Sequence, residues 1–330
     1  MKFDFVIGNP PYQENDGGSG ASAKPVYNKF IDSIKSQNVD VICMVIPAKW
    51  YAGGKGLDQF RRDMLNDPHM AVLVDYTNSA DVFPGVDVAG GICIFIRDTK
   101  YDGKCLFINY FNGKKTSEYR SLNEFPTFIR YPLAATVVKK VQAKQVDMLD
   151  QLVSSRKPFG LDTTVRPQRT GDIKLRYTGG IGDFSRSSIS VGVELIDKWK
   201  IIISYLTAEH AGQPDKKGQY RVLSTMEKLQ PGFVCSETYL VAGSFDSEYE
   251  ADNYMKYLRS RFVRFLVLQI AVTQHITKAT FSFVPLQDFT SSSDIDWSQP
   301  ISQIDQQLYH KYGLNDDEIA FIESTVKEMT

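Results

Sequence analysis

The chain is poor in the residues that bind metals. Its four histidines and four cysteines form no C-x-x-C pair and no cysteine–histidine constellation, so no zinc site is expected. Of Cys43, Cys93, Cys105 and Cys235, three lie inside apolar, strand-like runs, which predicts reduced, buried thiols in a cytoplasmic protein. No apolar run reaches the length of a membrane span, and no partner on a membrane is expected. Asp4 follows Lys2 with no apolar stretch behind it, so the N-terminus does not read as a signal peptide. His210 and His275 lack partners at metal-binding spacing and read as structural or surface residues. An acidic pair followed by E-x-K is missing too, so a nuclease centre is not expected in these residues.

Charge of one sign is also lacking: 38 Lys and Arg stand against 39 Asp and Glu, a net −1, which excludes a uniformly basic nucleic-acid binder. The distribution is uneven, however. Residues 1–148 carry +2, residues 149–230 carry +4 and residues 231–330 carry −7. A chain of 330 residues has room for two domains with separate cores.

Four segments in the first hundred residues read as buried strands: FDFVIG (3–8), VDVICMVIP (39–47), MAVLVDY (70–76) and GGICIFIRD (90–98). They are continuous apolar runs, as expected of strands covered on both faces. Between them, KPVYNKFIDSIKS places Val26, Phe30, Ile31 and Ile34 at helical spacing, and LDQFRRDMLND does so with Leu57, Phe60, Met64 and Leu65. Alternation of strand and helix predicts an α/β class with a mostly parallel, doubly wound sheet. ENDGGSGASAK (14–24) reads as a polar loop. After KCLFINYF (104–111) the alternation ends, and the turn-rich, arginine-rich stretch 154–188 suggests a second domain of mixed α+β style. A helical pair is expected around residues 247–272, and two short helices close the chain, the second capped by Asn315.

The chemistry concentrates in FDFVIGNPPYQ, where an apolar strand runs into Asn9-Pro10-Pro11-Tyr12. In an open α/β sheet, ligands bind at the C-terminal ends of strands. An exocyclic aromatic amine is a poor nucleophile because its lone pair is delocalised into the ring. Two acceptors holding both N–H protons draw the nitrogen toward a tetrahedral shape and localise that pair. Asn9 offers a side-chain carbonyl and Pro10 a backbone carbonyl, while Pro11 stiffens the backbone and preorganises both. Tyr12 offers a flat face for a base taken out of a helix.

NPPY after an apolar strand resembles the fourth motif of amino-group methyltransferases that use S-adenosylmethionine, most closely the gamma-class DNA adenine-N6 enzymes. IPAKWYAGGKGLDQFRRDML (46–65) and DYTNSADVFPGVDVAGGICIF (75–95) resemble later catalytic motifs of restriction–modification methylases, including fused type IIG-like enzymes. The tail, from YLRSRFVRFLVLQ to DQQLYHKYGLNDDEIAFIE, resembles their C-terminal region. The resemblance implies that Asn9, Pro10 and Tyr12 are catalytic and that Tyr12 and Phe83, 74 residues after Asn9, stack on a flipped adenine. It also implies a fold made of the second half of a doubly wound methyltransferase sheet (1–148), a mixed α+β target-recognition domain (149–285) and a C-terminal helical segment (286–330). The family carries its cofactor motifs before NPPY, so the cofactor residues are expected upstream, in a methyltransferase half that a nuclease domain could accompany. Without that half the edge of strand 3–8 is bare, and it is expected to pair with another copy, to be covered by a rearranged segment, or to limit solubility. YTGGIGDF (177–184) is the one downstream candidate for a cofactor loop, but IKLRY before it is short and charged, and the family places a DNA-contacting loop there; GGKG (53–56) lacks the phosphate-loop spacing.

Double-stranded DNA is the implied partner. Arg156, Lys157, Arg166, Arg169, Lys174, Arg176 and Arg186 fall in the target-recognition stretch, interleaved with Phe159, Tyr177 and Phe184, and arginine suits both phosphate clamping and reading of guanine. Two other readings remain open at this point. One is a DNA-binding or specificity fragment that does not catalyse. The other is a protein glutamine-amide methyltransferase, which shares NPPY but has no need of the arginine-rich residues that follow.

Overall fold

The computed structural model describes residues 3–14, 24–54, 56–86, 88, 90–111, 113–206, 218–223, 225–271 and 275–329. Most of the expected polar loop 14–24 and His210 lie outside them. The chain divides into two compact units, Met1–Ala135 and Thr136–Thr330, so the expected boundary at 148 falls inside the second.

Unit 1 is built on β1 (Phe5–Gly8), α1 (Tyr27–Lys35), β2 (Val41–Pro47), α2 (Asp58–Leu65), β3 (Met70–Tyr76), β4 (Ile92–Asp98), β5 (Cys105–Phe111) and β6 (Lys114–Arg120). The six strands form one sheet in the order β1-β2-β4-β3-β5-β6. β1 runs parallel to β2 and β3 parallel to β5, whereas β4 is antiparallel to both its neighbours and β6 to β5. The expected mostly parallel sheet is therefore mixed. The reason lies in the connections: no α-helix separates β3 from β4, only a 3-10 turn at Ser79–Asp81. Parallel neighbours are usually joined by a crossover helix, and a strand that returns without one typically runs antiparallel to the one it leaves.

All four expected strands form, but they are not covered alike on both faces. Ile42, Met44 and Ile46 of β2 are buried, while Val41, Cys43 and Val45 are half-exposed. Tyr27 and Ile31 of α1 and Phe60 and Met64 of α2 join Ile42, Met44, Phe95 and Phe107 in one core. The steps β1→β2 and β2→β3 move the same way across the sheet, and right-handed crossovers stepping one way put both helices on one face. The strands seen are thus wound in one direction, as one half of a doubly wound sheet is. Phe30 of α1, expected on the apolar side, is 46% exposed. β1 is an edge strand, with Phe5 69% and Ile7 80% exposed. No rearranged strand of the chain pairs with that edge among the described residues.

Unit 2 contains α3 (Pro132–Gln142, which begins at the end of unit 1), β7 (Ile173–Tyr177), β8 (Gly180–Phe184), β9 (Trp199–Ser204), β10 (Met226–Leu229), β11 (Phe233–Cys235), β12 (Tyr239–Phe245), α4 (Glu248–Arg259), α5 (Arg261–Leu268), α6 (Ile301–Lys311) and α7 (Asp316–Thr325). Two three-stranded sheets, β10-β9-β12 and β11-β7-β8, share a core around Phe159, Leu175, Ile202 and Val241. α4 lies close to β12: a Cβ on Gly243 would come within 2.9 Å of the Tyr254 ring. The C-terminal residues 286–330 pack into this unit and are not a separate body. Asn253 Nδ2 donates to the Phe289 carbonyl (2.8 Å) and Lys256 Nζ to that of Trp297 (2.6 Å). α7 starts as expected, with Asn315 accepting from the Glu318 N–H and Glu318 accepting from the Asn315 N–H. His275 stacks on Tyr205 at 4.7 Å, as a structural residue would. All four cysteines are free thiols.

Candidate active site

β1, β2, β3 and β5 point the same way, so their C-terminal ends form one rim of the sheet. Asn9, Pro10 and Tyr12 follow β1 on this rim, Lys49–Tyr51 follow β2, and Phe83 lies on the loop that leaves β3. β1 and β3 are three positions apart in the sheet, roughly 14 Å. The 77–91 loop carrying Phe83 runs back from β3 to β4, which adjoins β2.

Asn9 is exposed and Pro10 and Tyr12 are half-buried. The Tyr12 carbonyl accepts from Val26 N–H (3.2 Å) and Glu14 N–H donates to Lys24 O (3.0 Å), which fastens the segment after NPPY to the start of α1. The Tyr12 hydroxyl is buried beside the Asn9 side chain, with no well-aligned hydrogen bond. Burial raises its pKa, and the nearby Asn9 side chain opposes the rise. Tyr27 and Tyr51 also hold buried hydroxyls that lack partners, and burial raises both pKa values in the same way. Trp50 is fully buried and donates to Cys93 Sγ at 3.3 Å; burial pushes that thiol up to about 12, which keeps it protonated and unreactive.

Behind the rim lies a buried ion pair that the sequence does not announce. Arg130 Nε and Nη2 donate to Asp75 Oδ2 and Oδ1 at 2.6 and 2.7 Å, and Asn109 Nδ2 donates to Asp75 Oδ2 at 2.7 Å. Asp75 is fully buried. Burial works against the Arg130 charge, but the Asp75 carboxylate more than offsets this and raises the guanidinium's pKa. The two residues are 55 positions apart, so no local spacing could reveal them.

In unit 2 the basic cluster is largely neutralised. Arg156 and Lys157 both face Glu237 (3.1 and 3.6 Å), Lys174 pairs with Asp183, Arg176 with Glu227 (2.7 Å) and Arg186 with Asp197 (2.8 Å through Nη1). Arg166 donates instead to the carbonyls of Thr163 and Val165 and lies over the Tyr177 ring. Arg169 is exposed. Among the described residues of the cluster, these two have no carboxylate partner, so the seven do not form one free basic face. If DNA phosphates are contacted here, replacing both with alanine lowers the slope of log affinity against log salt by about 2, near 0.9 per phosphate. An unchanged slope places the phosphate-contacting face elsewhere.

YTGGIGDF forms the β7–β8 hairpin, whose turn is Thr178-Gly179. It is not the strand–turn–helix of a cofactor loop. GGKG (53–56) is no better: Gly54 N–H donates to the Asp58 carboxylate (2.8 Å), closing a turn before α2.

Residues 1–83 match the model of the family described as Eco57I restriction-modification methylase. A Mycoplasma pneumoniae protein described as an uncharacterized adenine-specific methylase is 35% identical over 120 residues, covering 36% of this chain and 28% of that protein. Among solved structures, the type IIG restriction endonuclease BpuSI aligns over 86% of this chain and 44% of its own, with 10% identity and a TM-score of 0.39. The type IIL restriction-modification enzyme MmeI, solved in complex with DNA, aligns over 97% and 56%, with 9% identity and a TM-score of 0.40. The chain thus spans less than two thirds of each of these relatives. The likeness to restriction–modification adenine methylases that the NPPY region suggested is present, and the family model covers residues 1–83. Among the described residues, no helix is long and apolar enough to cross a membrane and no group of side chains could hold a metal ion.

Proposed function

We propose that this chain supplies the target-base site and the DNA-contacting unit of an adenine-N6 DNA methyltransferase of restriction–modification type. The observation that carries the reading is Asn9-Pro10-Pro11-Tyr12 at the C-terminal end of β1, inside the segment that matches the methylase family. In this reading the Asn9 side-chain carbonyl and the Pro10 carbonyl accept the two N–H protons of a flipped adenine amine. Tyr12 and Phe83 hold the base by stacking, worth ~1–3 kcal/mol per base. Arg166 and Arg169 contact the DNA backbone from unit 2.

S-adenosylmethionine is the methyl donor that the family uses. The described residues do not fit it: one glycine cluster is the turn between two strands and the other a turn just before α2, and neither leads from a strand straight into a helix as a cofactor loop does. The donor's site is therefore assigned to a partner half that adds a strand beside β1. The free edge and the exposed Phe5 and Ile7 suit such an addition.

The lack of a cradle also favours a second reading, a specificity fragment that binds DNA and does not methylate. Calorimetric titration of S-adenosylmethionine into the chain alone, and then into the chain with a candidate cofactor half, separates the possibilities. No binding alone and restored methylation with the half supports the proposal. DNA binding with no methylation under either condition supports the fragment. Micromolar binding to the chain alone overturns the assignment of the donor site to a partner.

A further inference from the structure

The 77–91 loop is held at both ends by one side chain. Arg130 Nη1 donates to the carbonyl of Gly90 (2.8 Å) at the end of the loop, and Nη2 to that of Tyr76 (3.3 Å) just before its start, while the guanidinium also grips Asp75. Its plane lies over the Tyr51 ring at 5.6 Å, on the turn that follows β2. The approach is close enough to need a glycine: Gly91 has φ +82°, and a Cβ there would collide with the carbonyls of Tyr76 and Thr77 and with Arg130 Nη2. Inside the loop, Ser79 Oγ donates to Val86 O (2.8 Å) and accepts from Val88 N–H (2.9 Å), so the turn carrying Phe83 is drawn closed by a second, independent tie. Phe83 N–H in turn donates to Ser79 O (2.9 Å).

We propose that Arg130 and Ser79 are positioning residues that fix the 77–91 loop and with it the ring of Phe83 at the rim shared with Asn9 and Tyr12. Neither touches the base. Arg130 binds the two ends of the loop to the buried carboxylate of β3, and Ser79 sets the shape of the segment between them. A side chain that must meet a flipped base face-on gains from a loop that is ordered before the base arrives, because misplacement by about 1 Å can cost ~10²-fold in rate. The positional part concerns the loop alone; the part about Phe83 and the base rests on the function proposed above.

Two variants separate these parts. Arg130→Lys keeps the charge but loses the fork that spans Asp75, Gly90 and Tyr76; Ser79→Ala leaves the ion pair untouched and removes only the inner tie. Hydrogen–deuterium exchange over 77–91 is expected to quicken by about tenfold in each, with β2 and β5 still protected in Ser79→Ala. In the complete methylating protein, transfer of labelled methyl groups into unmethylated phage DNA is expected to show kcat lowered 10- to 100-fold, with KM for S-adenosylmethionine unchanged. Unaltered exchange over 77–91 in both variants overturns the tie. Faster exchange with unaltered kcat overturns the positioning role. If the unsubstituted protein methylates no DNA, the proposed function has failed, and the exchange measurement alone decides whether the loop is held as described.

Discussion

Asn9→Ala removes methyl transfer, by about 10²–10³-fold, and leaves DNA binding within about twofold. The magnitude follows from what the amide is asked to do. In the proposed function its carbonyl holds one of two protons on an amine whose lone pair must leave the ring, and that demand grows only as the methyl group approaches. Loss of such an interaction lowers kcat and kcat/KM together. Asn9 is exposed, so the substitution creates no cavity and fold stability stays within about 0.5 kcal/mol. Tyr12 provides the internal comparison. Tyr12→Phe keeps the stacking face and removes a buried hydroxyl whose polar neighbour is the Asn9 side chain, so its effect on stability stays within about 1 kcal/mol. Tyr12→Ala removes the face as well and weakens capture of the base. Methylation assays on phage DNA, with filter binding beside them, check all three. Weakened DNA binding by a well-folded Asn9→Ala protein contradicts the assigned role.

Much of unit 1 was legible because its strands and helices carry local signals. β1 to β4 were marked by apolar runs, and α2 by Leu57, Phe60, Met64 and Leu65, all four of which are buried. Strand direction and face coverage were not legible, because both depend on the connections. The described residues of the 77–91 segment form no α-helix, and that single fact reverses β4 and makes the sheet mixed. β6, KKTSEYR, escaped notice for a different reason: its residues are mostly exposed, so it has no apolar pattern and is defined by pairing with β5 alone.

The candidate site divides in the same way. Asn9 to Tyr12 are contiguous, so their place after a strand could be read directly. The basic cluster could be counted but not paired, because Glu227 and Glu237 come from distant positions and neutralise Arg176, Arg156 and Lys157 only once the sheets of unit 2 form. Composition locates charges; the fold decides which of them stay available. Asp75 and Arg130 show the limit most clearly: Asp75 opens the quoted stretch 75–95, but nothing in the spacing ties it to Arg130, 55 positions on.

That pair supports the second large prediction. Arg130→Ala strands a fully buried carboxylate with Asn109 as its remaining side-chain donor, and destabilises unit 1 by about 3–5 kcal/mol, the usual result of breaking a buried pair from one side. Asp75→Ala costs less, nearer ~3 kcal/mol, because the Arg130 side chain is 20% exposed and keeps the carbonyls of Gly90 and Tyr76 as acceptors. The double variant is milder than the sum of the two by roughly 1–3 kcal/mol, since no charge is then left buried alone. The slowest-exchanging amides of β2 and β3 report the stability of unit 1 separately from unit 2, which a single melting curve of two units does not. Additive losses in the double variant mean that Asp75 and Arg130 stabilise unit 1 independently. A coupling of the expected size identifies the pair as the fixed point from which the 77–91 loop is hung.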